Sequence, residues 1–241
     1  MEQRTRTILA ILAIIAVGAL ILSTPFIISF FFEKEPDRTV GELEEGPLML
    51  GNVEISEYKG EKLGSKEDFR ENSILGPQSI DAETYRLRIT GLVEEEKSYS
   101  YEELLEGFQH YRKVVALNCV EGWSVRILWD GLLVRDVIEE AGPQESGKVL
   151  IFKAEDGYTT SLPVEFFYDN DILMAYGMNN VTLDAQCGFP FQLVAEMKWG
   201  YKWIKWITEI EVSDDIDYKG YWEEVGYSNT GDLDDPSWVG D

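Results

Sequence analysis

Cys119 is the residue of this sequence best placed to do chemistry. It stands in the run NCVEGWS, residues 118–124, directly after the apolar stretch 114–117. A cysteine in such a position is a buried core thiol, a nucleophile or a ligand for a soft metal ion. Gly122 lets the backbone approach a ligand closely, and Trp123 adds a flat apolar wall. The local sequence therefore favours a ligand site over inert packing.

The histidine content narrows the chemistry further. His110 is the only histidine in the chain, so a histidine-rich zinc site and a two-histidine iron site are both excluded. A Cys–His hydrolase would have to use His110 with Cys119, and no nucleophile-elbow sequence supports that pairing. We expect His110 to cap a helix or to face solvent near a helix end.

Several segments, in order, resemble the molybdopterin-dependent oxidoreductases of the sulfite oxidase superfamily. The likeness covers about residues 70–230 and is closest to the prokaryotic, haem-free catalytic subunits, which include the periplasmic methionine sulfoxide reductase. Besides the run at Cys119, the segments WDG (129–131) and VRDVI (134–138) resemble the family's tryptophan-glycine turn and the helix that follows it. The other motifs that carry the likeness are DGY (156–158) with SL (161–162), GFP (188–190), GYKWIKW (200–206) and GYWE (220–223). Each motif is weak alone, whereas the ordered set is specific.

The resemblance implies a cofactor and a set of residues that hold it. The cofactor is molybdopterin carrying molybdenum, with tungsten as the alternative metal, and Cys119 is the one protein ligand to that metal. Trp123 and Tyr158 are the expected walls of the catalytic pocket. Cofactor contacts are expected from Asn72, Ser73, Cys119, Ala154, Cys187, Gln192, Lys202, Trp203, Ile204 and Lys205. From composition alone, the lysines in this set could equally be exposed residues of a strand.

Two of these positions depart from the family pattern. Many relatives have Asn or His in place of Cys187 and Arg in place of Gln192. Gln192 can form hydrogen bonds but brings no positive charge, so cofactor affinity and metal potential could both shift. Cys187 could be a neighbour of the pterin, an inert core thiol or a disulfide partner of Cys119. The disulfide is the least favoured because it would consume the metal ligand.

Short strands and helices must position these residues. Tyr85, Leu87 and Ile89 alternate with polar residues, which is the period of a half-buried strand. Ser100 begins a capping box with Glu103, which predicts a helix start. The stretch 112–117 predicts a strand that delivers Cys119 at its carboxyl end. Further strands are predicted at 148–154, 172–175, 191–195 and 203–212, and helices at 133–141 and 163–168. The pattern predicts a β-rich α+β domain, as the resemblance also implies.

The N-terminal region has the composition of a segment embedded in a lipid bilayer. Residues 8–32 contain no charged side chain, and at about 1.5 Å per residue a helix of this length crosses a hydrocarbon layer of about 30 Å. The alternative is a cleaved signal peptide, whose apolar region is typically about 7–15 residues long. We favour a single-pass anchor in membrane lipid, with residues 1–7 cytoplasmic and the catalytic domain extracytoplasmic. Arg4-Thr5-Arg6 lacks the adjacent pair of a twin-arginine signal, so the export route stays open.

The remaining chain divides into three segments. Residues 33–68 are predicted to be an acidic tether and entry segment, residues 69–230 the oxidoreductase domain, and residues 231–241 an acidic tail. The chain has 21 Lys and Arg against 45 Asp and Glu, a net charge of −24. Such a surface repels nucleic acid. It is either a solvated surface or a docking face for a positively charged redox partner, and the solvated surface is the more common case.

The function predicted from the sequence is two-electron oxygen-atom transfer on a small-molecule substrate. Arg126 is the only cation near Cys119 in the sequence, so the anion-clamping arginines of true sulfite oxidases are not recognisable. Reduction of a sulfoxide or N-oxide is therefore favoured over sulfite oxidation. The sequence has no haem motif, so a separate membrane or soluble protein must exchange the electrons. The alternatives are a cofactor-less binding or assembly module with the same fold, and an acidic structural ectodomain.

Overall fold

The computed structural model describes residues 35–47 and 49–240. These residues form two larger β-sheets and a set of short helices. The strands are β1 (Glu44–Glu45), β2 (Glu57–Tyr58), β3 (Glu61–Lys62), β4 (Leu87–Gly91), β5 (Lys97–Tyr99), β6 (Tyr111–Asn118), β7 (Ser124–Leu133), β8 (Val149–Ala154), β9 (Thr159–Pro163), β10 (Leu173–Met178), β11 (Val181–Thr182), β12 (Gln192–Val194) and β13 (Ile207–Ser213). The α-helices described are α1 (Tyr101–Gly107), α2 (Val134–Glu139) and α3 (Val164–Asp169), and 3₁₀-helices lie at Lys66–Asp68, Gly200–Lys202 and Glu223–Val225. The predicted β-rich α+β class is confirmed.

The first sheet carries the segment around Cys119. Its strand order is β1-β6-β7-β10-β11, with β12 also paired to β10, and all of these pairs are antiparallel. The predicted strand at 112–117 is confirmed as β6, and it pairs along its whole length with β7. The turn between β6 and β7 therefore contains Cys119.

The second sheet has the order β5-β4-β13-β8-β9, in which β13 pairs parallel with β4 and antiparallel with β8. Leu87 and Ile89 of β4 are fully buried while Arg88 between them is exposed, as the alternation predicts. The capping box is also confirmed, since the Ser100 hydroxyl accepts a hydrogen bond from the Glu103 N–H at 3.1 Å and Glu103 Oε2 accepts one from the Ser100 N–H at 2.7 Å.

The prediction of a tryptophan-glycine turn at WDG (129–131) is wrong. It lies inside the long strand β7, and the helix expected at 133–141 is the shorter α2. Most of β7 is buried on both faces, so its sequence lacks the alternation that marks a half-buried strand. A Cβ at Gly131 would lie 2.7 Å from the carbonyl oxygen of Met174, so glycine allows β10 to pack here.

The two terminal segments pack more closely than the sequence predicts. The compact unit begins at Pro36, not near Phe69, because residues of the entry segment hydrogen-bond to the sheets. In β1, Glu44 pairs with Arg112 of β6. At the other end, the N–H of Trp199 donates to the carbonyl oxygen of Gly231 at 2.7 Å. Backbone hydrogen bonds of this kind leave no hydrophobic periodicity in the sequence.

His110 caps the end of α1, as one of the two predicted alternatives has it, and it does not face solvent. Its ring is buried, with Nδ1 2.6 Å from the Tyr176 hydroxyl and Nε2 2.6 Å from the carbonyl oxygen of Leu105. The carbonyl at the end of α1 and the tyrosine of β10 together use both ring nitrogens.

The predicted membrane span, residues 8–32, and the segment 1–7 before it lie outside the described residues. Within the part of the chain that the structure describes, no helix has the length and apolar character needed to cross a bilayer.

Candidate active site

A cleft of about 240 Å³ opens beside the β6–β7 turn and is lined by Cys119. Its other walls come from segments that lie far apart in the sequence, at 66–74, 156–158, 186–192, 200–206 and 222–227. Within the turn, the N–H of Cys119 donates to the carbonyl oxygen of Trp123 at 2.9 Å, and the N–H of Gly122 donates to that of Cys119 at 3.0 Å. Gly122 has φ +82°, a conformation that favours glycine. The local sequence thus folds into a tight turn around the thiol.

The Cys119 thiol is buried and sparsely contacted. Burial raises its pKa, and the charge of Glu121 adds to this, while backbone N–H groups of the turn and the charge of Arg70 oppose it. Besides the backbone N–H groups of Val120 and Glu121, its hydrogen-bond neighbour among the described side chains is Asn72, whose Nδ2 lies 4.0 Å from Sγ. Burial therefore favours the protonated thiol, and a soft metal ion would displace that proton.

The segment 69–74 forms one side of the cleft and brings Asn72 and Ser73 beside the turn. Ser73 Oγ is buried and forms no well-aligned hydrogen bond within the described residues, although it lies near the Glu71 carboxylate and helps to lower the pKa of that group. Buried hydroxyls are normally paired, so this oxygen is free to bond a polar ligand. Phe69 packs edge-on against Trp123, with ring centroids 6.1 Å apart, and fixes the segment against the turn.

Three cationic side chains line the cleft, and two of them are already paired. Lys205 Nζ lies 2.9 Å from Glu71 Oε1, and Lys66 Nζ lies 2.9 Å from Asp184 Oδ2. Arg70, by contrast, forms no ion pair with any other described residue. Arg126, the cation nearest to Cys119 in the sequence, does not line the cleft because it pairs with Asp37. Sequence reasoning missed Arg70, although its closeness to Asn72 and Ser73 could have indicated it.

Two predicted cofactor contacts, Lys202 and Ala154, do not line the cleft. Lys202 is fully buried, neither exposed on a strand nor turned toward the cleft, and its Nζ lies 2.5 Å from Glu223 Oε1. Burial lowers the pKa of Lys202, whereas Glu223 raises it. Ala154 ends β8, where its N–H donates to the carbonyl oxygen of Tyr158 at 2.9 Å. It therefore supports the turn that carries Tyr158.

Aromatic side chains form much of the cleft wall. The indole N–H of Trp123 donates to Glu121 Oε2 at 3.0 Å, and the Tyr158 hydroxyl donates to the carbonyl oxygen of Tyr201 at 2.6 Å. Burial raises the pKa of Tyr158, so this hydroxyl acts as a fixed structural donor. Trp203 and Ile204 also line the cleft, as expected. Trp222, which belongs to the motif GYWE, joins them there, together with Phe69 and Tyr227, which were not predicted as site residues.

Cys187 and Gln192 both line the cleft. Burial raises the pKa of Cys187 to about 12, with a further contribution from Asp184. Both cysteines of the chain are free thiols. The third alternative for Cys187, a disulfide with Cys119, is therefore not formed. Gln192 is buried in β12, where its backbone pairs with Ala175 of β10. The two departures from the family pattern thus lie beside the same cleft as Cys119.

The donor set itself limits the kind of metal centre. In residues 35–47 and 49–240, no group of three or more His, Cys, Asp and Glu side chains could hold a metal ion. A metal at Cys119 would need most of its ligands from a cofactor. The single thiol, the Ser73 hydroxyl and the amides of Asn72 and Gln192 fit a cofactor that supplies its own sulfur ligands.

Comparison with known proteins agrees with this geometry. The sequence model of the protein family described as the oxidoreductase molybdopterin binding domain matches residues 75–222 of this chain. The uncharacterized oxidoreductase YuiH of Bacillus subtilis is 32% identical over 157 residues, covering 65% of this chain and 78% of the relative. The protein-methionine-sulfoxide reductase catalytic subunit MsrP of Campylobacter jejuni is 26% identical over 227 residues, covering 85% of this chain and 70% of the relative.

Two further matches are more partial. The putative protein-methionine-sulfoxide reductase subunit YedZ1 of Azospira oryzae is 30% identical over 151 residues, and the match covers 63% of this chain and 57% of that protein. The crystal structure of the sulfane dehydrogenase SoxCD from Paracoccus pantotrophus superposes with a TM-score of 0.56 at 23% identity, over 59% of this chain and 42% of that one. This second match supports the fold. The predicted cofactor, molybdopterin with molybdenum, is confirmed at the level of the family. The chain belongs to the molybdopterin-binding oxidoreductases of the sulfite oxidase superfamily, close to the MsrP-like subunits.

Proposed function

We propose that this oxidoreductase reduces a sulfoxide to the corresponding sulfide. The reaction takes up two electrons and two protons, breaks the S–O bond and releases water. The observation that carries the proposal is the Cys119 thiol at the edge of a cleft whose walls are aromatic and whose lysines are neutralised by carboxylates. The names of the relatives in Campylobacter jejuni and Azospira oryzae point to the same class of substrate.

The residues of the cleft would hold the cofactor as follows. Cys119 is the metal ligand, and Asn72 beside it holds the thiol in place through its amide. Ser73 and Gln192 offer a hydroxyl and an amide to the pterin. When bound, the cofactor supplies a metal that exchanges two electrons and an oxygen atom with the substrate.

The cleft favours a neutral sulfur compound as substrate. Sulfur packs well against aromatic rings, with a gain of about 0.3–1.5 kcal/mol per contact. Trp123, Trp222 and Tyr227 provide such rings on the cleft wall. Because Lys66 and Lys205 are paired with Asp184 and Glu71, they attract an anion less strongly than free lysines would.

Arg70 favours a second candidate, sulfite oxidation. Its guanidinium is without an ion-pair partner in the described part of the chain, and it lines the cleft beside Asn72. A planar guanidinium is well suited to bind an oxyanion. Replacing Arg70 therefore separates the two candidates, since a neutral sulfoxide depends on this charge less than sulfite does.

We propose that the enzyme works outside the cytoplasm, anchored in the membrane by residues 8–32. A separate membrane or soluble electron-transfer protein would supply the electrons. The net charge of −24 would attract a positively charged partner at low ionic strength, and salt would weaken that attraction.

The test is turnover with defined substrates. The full-length enzyme, loaded with cofactor, is assayed with a reduced viologen dye and a sulfoxide or N-oxide, and with sulfite and an oxidising dye. Sulfoxide reduction that survives Arg70→Gln within about threefold supports the proposal. Sulfite oxidation that is faster than sulfoxide reduction, and is lost in R70Q, would establish the second candidate. A cofactor-less binding module would show neither activity and no metal.

A further inference from the structure

Lys202 and Glu223 form a fully buried ion pair just behind the cleft wall. Both side chains have 0% exposure, and Lys202 Nζ lies 2.5 Å from Glu223 Oε1. Lys202 also donates to the carbonyl oxygen of Ser161 at 3.0 Å, and the Thr160 hydroxyl donates to the same Glu223 oxygen at 2.7 Å. The pair thus joins three chain segments: the 3₁₀-helix at 200–202, strand β9 and the 3₁₀-helix at 223–225.

Each of these segments carries an aromatic residue into the cleft at a neighbouring position. Tyr201 and Trp203 flank Lys202, Trp222 precedes Glu223, and Tyr158 lies two residues before Thr160 in the sequence, and all of these aromatic residues line the cleft. Neither charged residue lines the cleft itself. The ion pair is therefore connected to the site through the backbone it holds and through the Tyr201 ring, whose centroid lies 5.8 Å from Lys202 Nζ.

The aromatic residues also contact one another across the segment boundaries. The Tyr158 hydroxyl donates to the carbonyl oxygen of Tyr201. Ring centroids of Tyr201 and Tyr227 are 5.1 Å apart, and those of Trp222 and Tyr227 are 5.5 Å apart. A shift of one segment would move the others, so the wall has one consistent arrangement.

Stability alone does not account for this pair. Burying an ion pair costs the desolvation free energy of both charges, and replacing the pair by apolar side chains is often neutral or stabilising. Glu223 Oε2 is buried without a hydrogen-bond partner among the described residues, which makes the pair more costly still. What charged partners add is a requirement for one relative position of the segments that carry them.

We propose that Lys202 and Glu223 are positioning residues that fix the aromatic wall over Cys119. The assignment of a substrate to the wall rests on the proposed function, whereas the shielding of the Cys119 thiol does not. Lys202 acts through Tyr201 and Trp203, and Glu223 acts through Trp222, without either side chain touching the bound groups.

The chain offers a matched control. Lys113 and Glu196 form a second buried ion pair, with Nζ 2.5 Å from Oε2 and exposures of 3% and 7%. None of the residues that flank Lys113 or Glu196 in the sequence lines the cleft. If a buried pair only stabilised the domain, removing either pair would have the same consequences at Cys119.

The experiment measures how fast iodoacetamide alkylates Cys119 in full-length, metal-free protein, with Cys187→Ser in every variant. The variants are K202M/E223L, the conservative E223Q and the control K113M/E196L, each checked for folding by its urea midpoint. We expect alkylation about tenfold faster in K202M/E223L, reflecting more frequent local opening, a smaller increase in E223Q and the parent rate in the control. An unchanged rate in folded K202M/E223L and E223Q, or equal acceleration by the control, would overturn the proposal.

A second readout uses the loaded enzyme with the substrate that the turnover assay identifies, and so rests on the proposed function. K202M/E223L should raise KM about tenfold while kcat stays within about threefold, because the wall binds substrate and does not take part in the chemistry. A fall in kcat with unchanged KM would contradict the positioning role. If the enzyme has no turnover at all, the proposed function fails while the alkylation result still decides the role of the pair.

Discussion

Asn118 and Ser124 lie directly opposite each other as the last paired residues of β6 and β7. The residues between them form the turn that holds Cys119 against the cleft. The hairpin pairs β6 with β7 along the full length of β6, so the position of the thiol is set by the sheet. This is the arrangement expected of a metal ligand that must not move between redox states.

The conformation of the turn depends on Gly122, which has φ +82° and open space where a Cβ would lie. Gly122→Ala should therefore lower the free energy of unfolding by about 1–2 kcal/mol through backbone strain alone. Urea titration measures the change. The control is Gly107→Ala, at the end of α1, where a Cβ also meets open space and no positive φ is required. That variant should be neutral or slightly stabilising. Equal losses in the two variants would contradict the role given to the turn.

Cys187 lines the same cleft as Cys119 but should not hold the metal. Burial first, and then the neighbouring Asp184 carboxylate, raise its pKa to about 12, whereas backbone N–H groups of the turn favour the thiolate at Cys119. Cys187→Ser should therefore keep the metal content of the parent within about twofold, because serine has nearly the size of cysteine and no bond to the metal is removed. Metal analysis of C187S, purified from a host that makes the cofactor, checks this. Loss of the metal would show that Cys187 is a ligand.

Glu209 of β13 should make stability depend on pH. Burial raises its pKa, but hydrogen bonding and charge from Lys153, together with the charge of Arg88, outweigh burial, and the pKa lies below its ordinary value. A carboxylate of this kind stabilises the fold above its unfolded pKa of about 4.3, and that contribution disappears as the pH falls through the folded pKa. Glu209→Gln should cost about 1 kcal/mol at pH 7.

Urea unfolding at pH 7 and at about pH 3.5, below the unfolded pKa of glutamate, tests this dependence. The difference between E209Q and the parent should shrink at the lower pH. Glu211→Gln, on the same strand but more exposed, should cost less than about 0.5 kcal/mol at either pH. A constant difference for E209Q across this range would rule out the ion pair as its cause.

Local sequence signals predicted the elements around Cys119 but not the walls that complete the cleft. The strand β6 and the helix start at Ser100 follow from alternation and from a capping box, both of which are local. The resemblance to the family brought Asn72, Gln192 and Trp203 to the correct region. Strand β7 was missed because burial on both faces removes the alternation. Arg70 was missed although it stands two residues before Asn72, because no local pattern shows that it has no ion-pair partner among the described residues.

Charged and polar residues in the core were the hardest to predict. The sequence suggested that Lys202 would be exposed or would face the cofactor, whereas its partner, Glu223, lies on a distant segment and draws it into the core. His110 is buried for a similar reason, since both of its ring nitrogens are within hydrogen-bond distance of groups in other elements. A buried polar residue can be recognised only when its partners are known, and those partners are set by tertiary structure.

The central claim, that Cys119 binds the metal of the cofactor, is tested most directly by metal content. Molybdenum and tungsten are measured in the full-length protein purified from its own host and in Cys119→Ser, with C187S as the matched control. We predict about one metal ion per chain in the parent and in C187S, and a reduction of about tenfold or more in C119S, since losing even an outer-shell partner of a metal ligand typically costs about 10–100-fold in affinity. Unchanged metal content in C119S, or no metal in the parent from a host whose other molybdenum enzymes are loaded, would contradict the account.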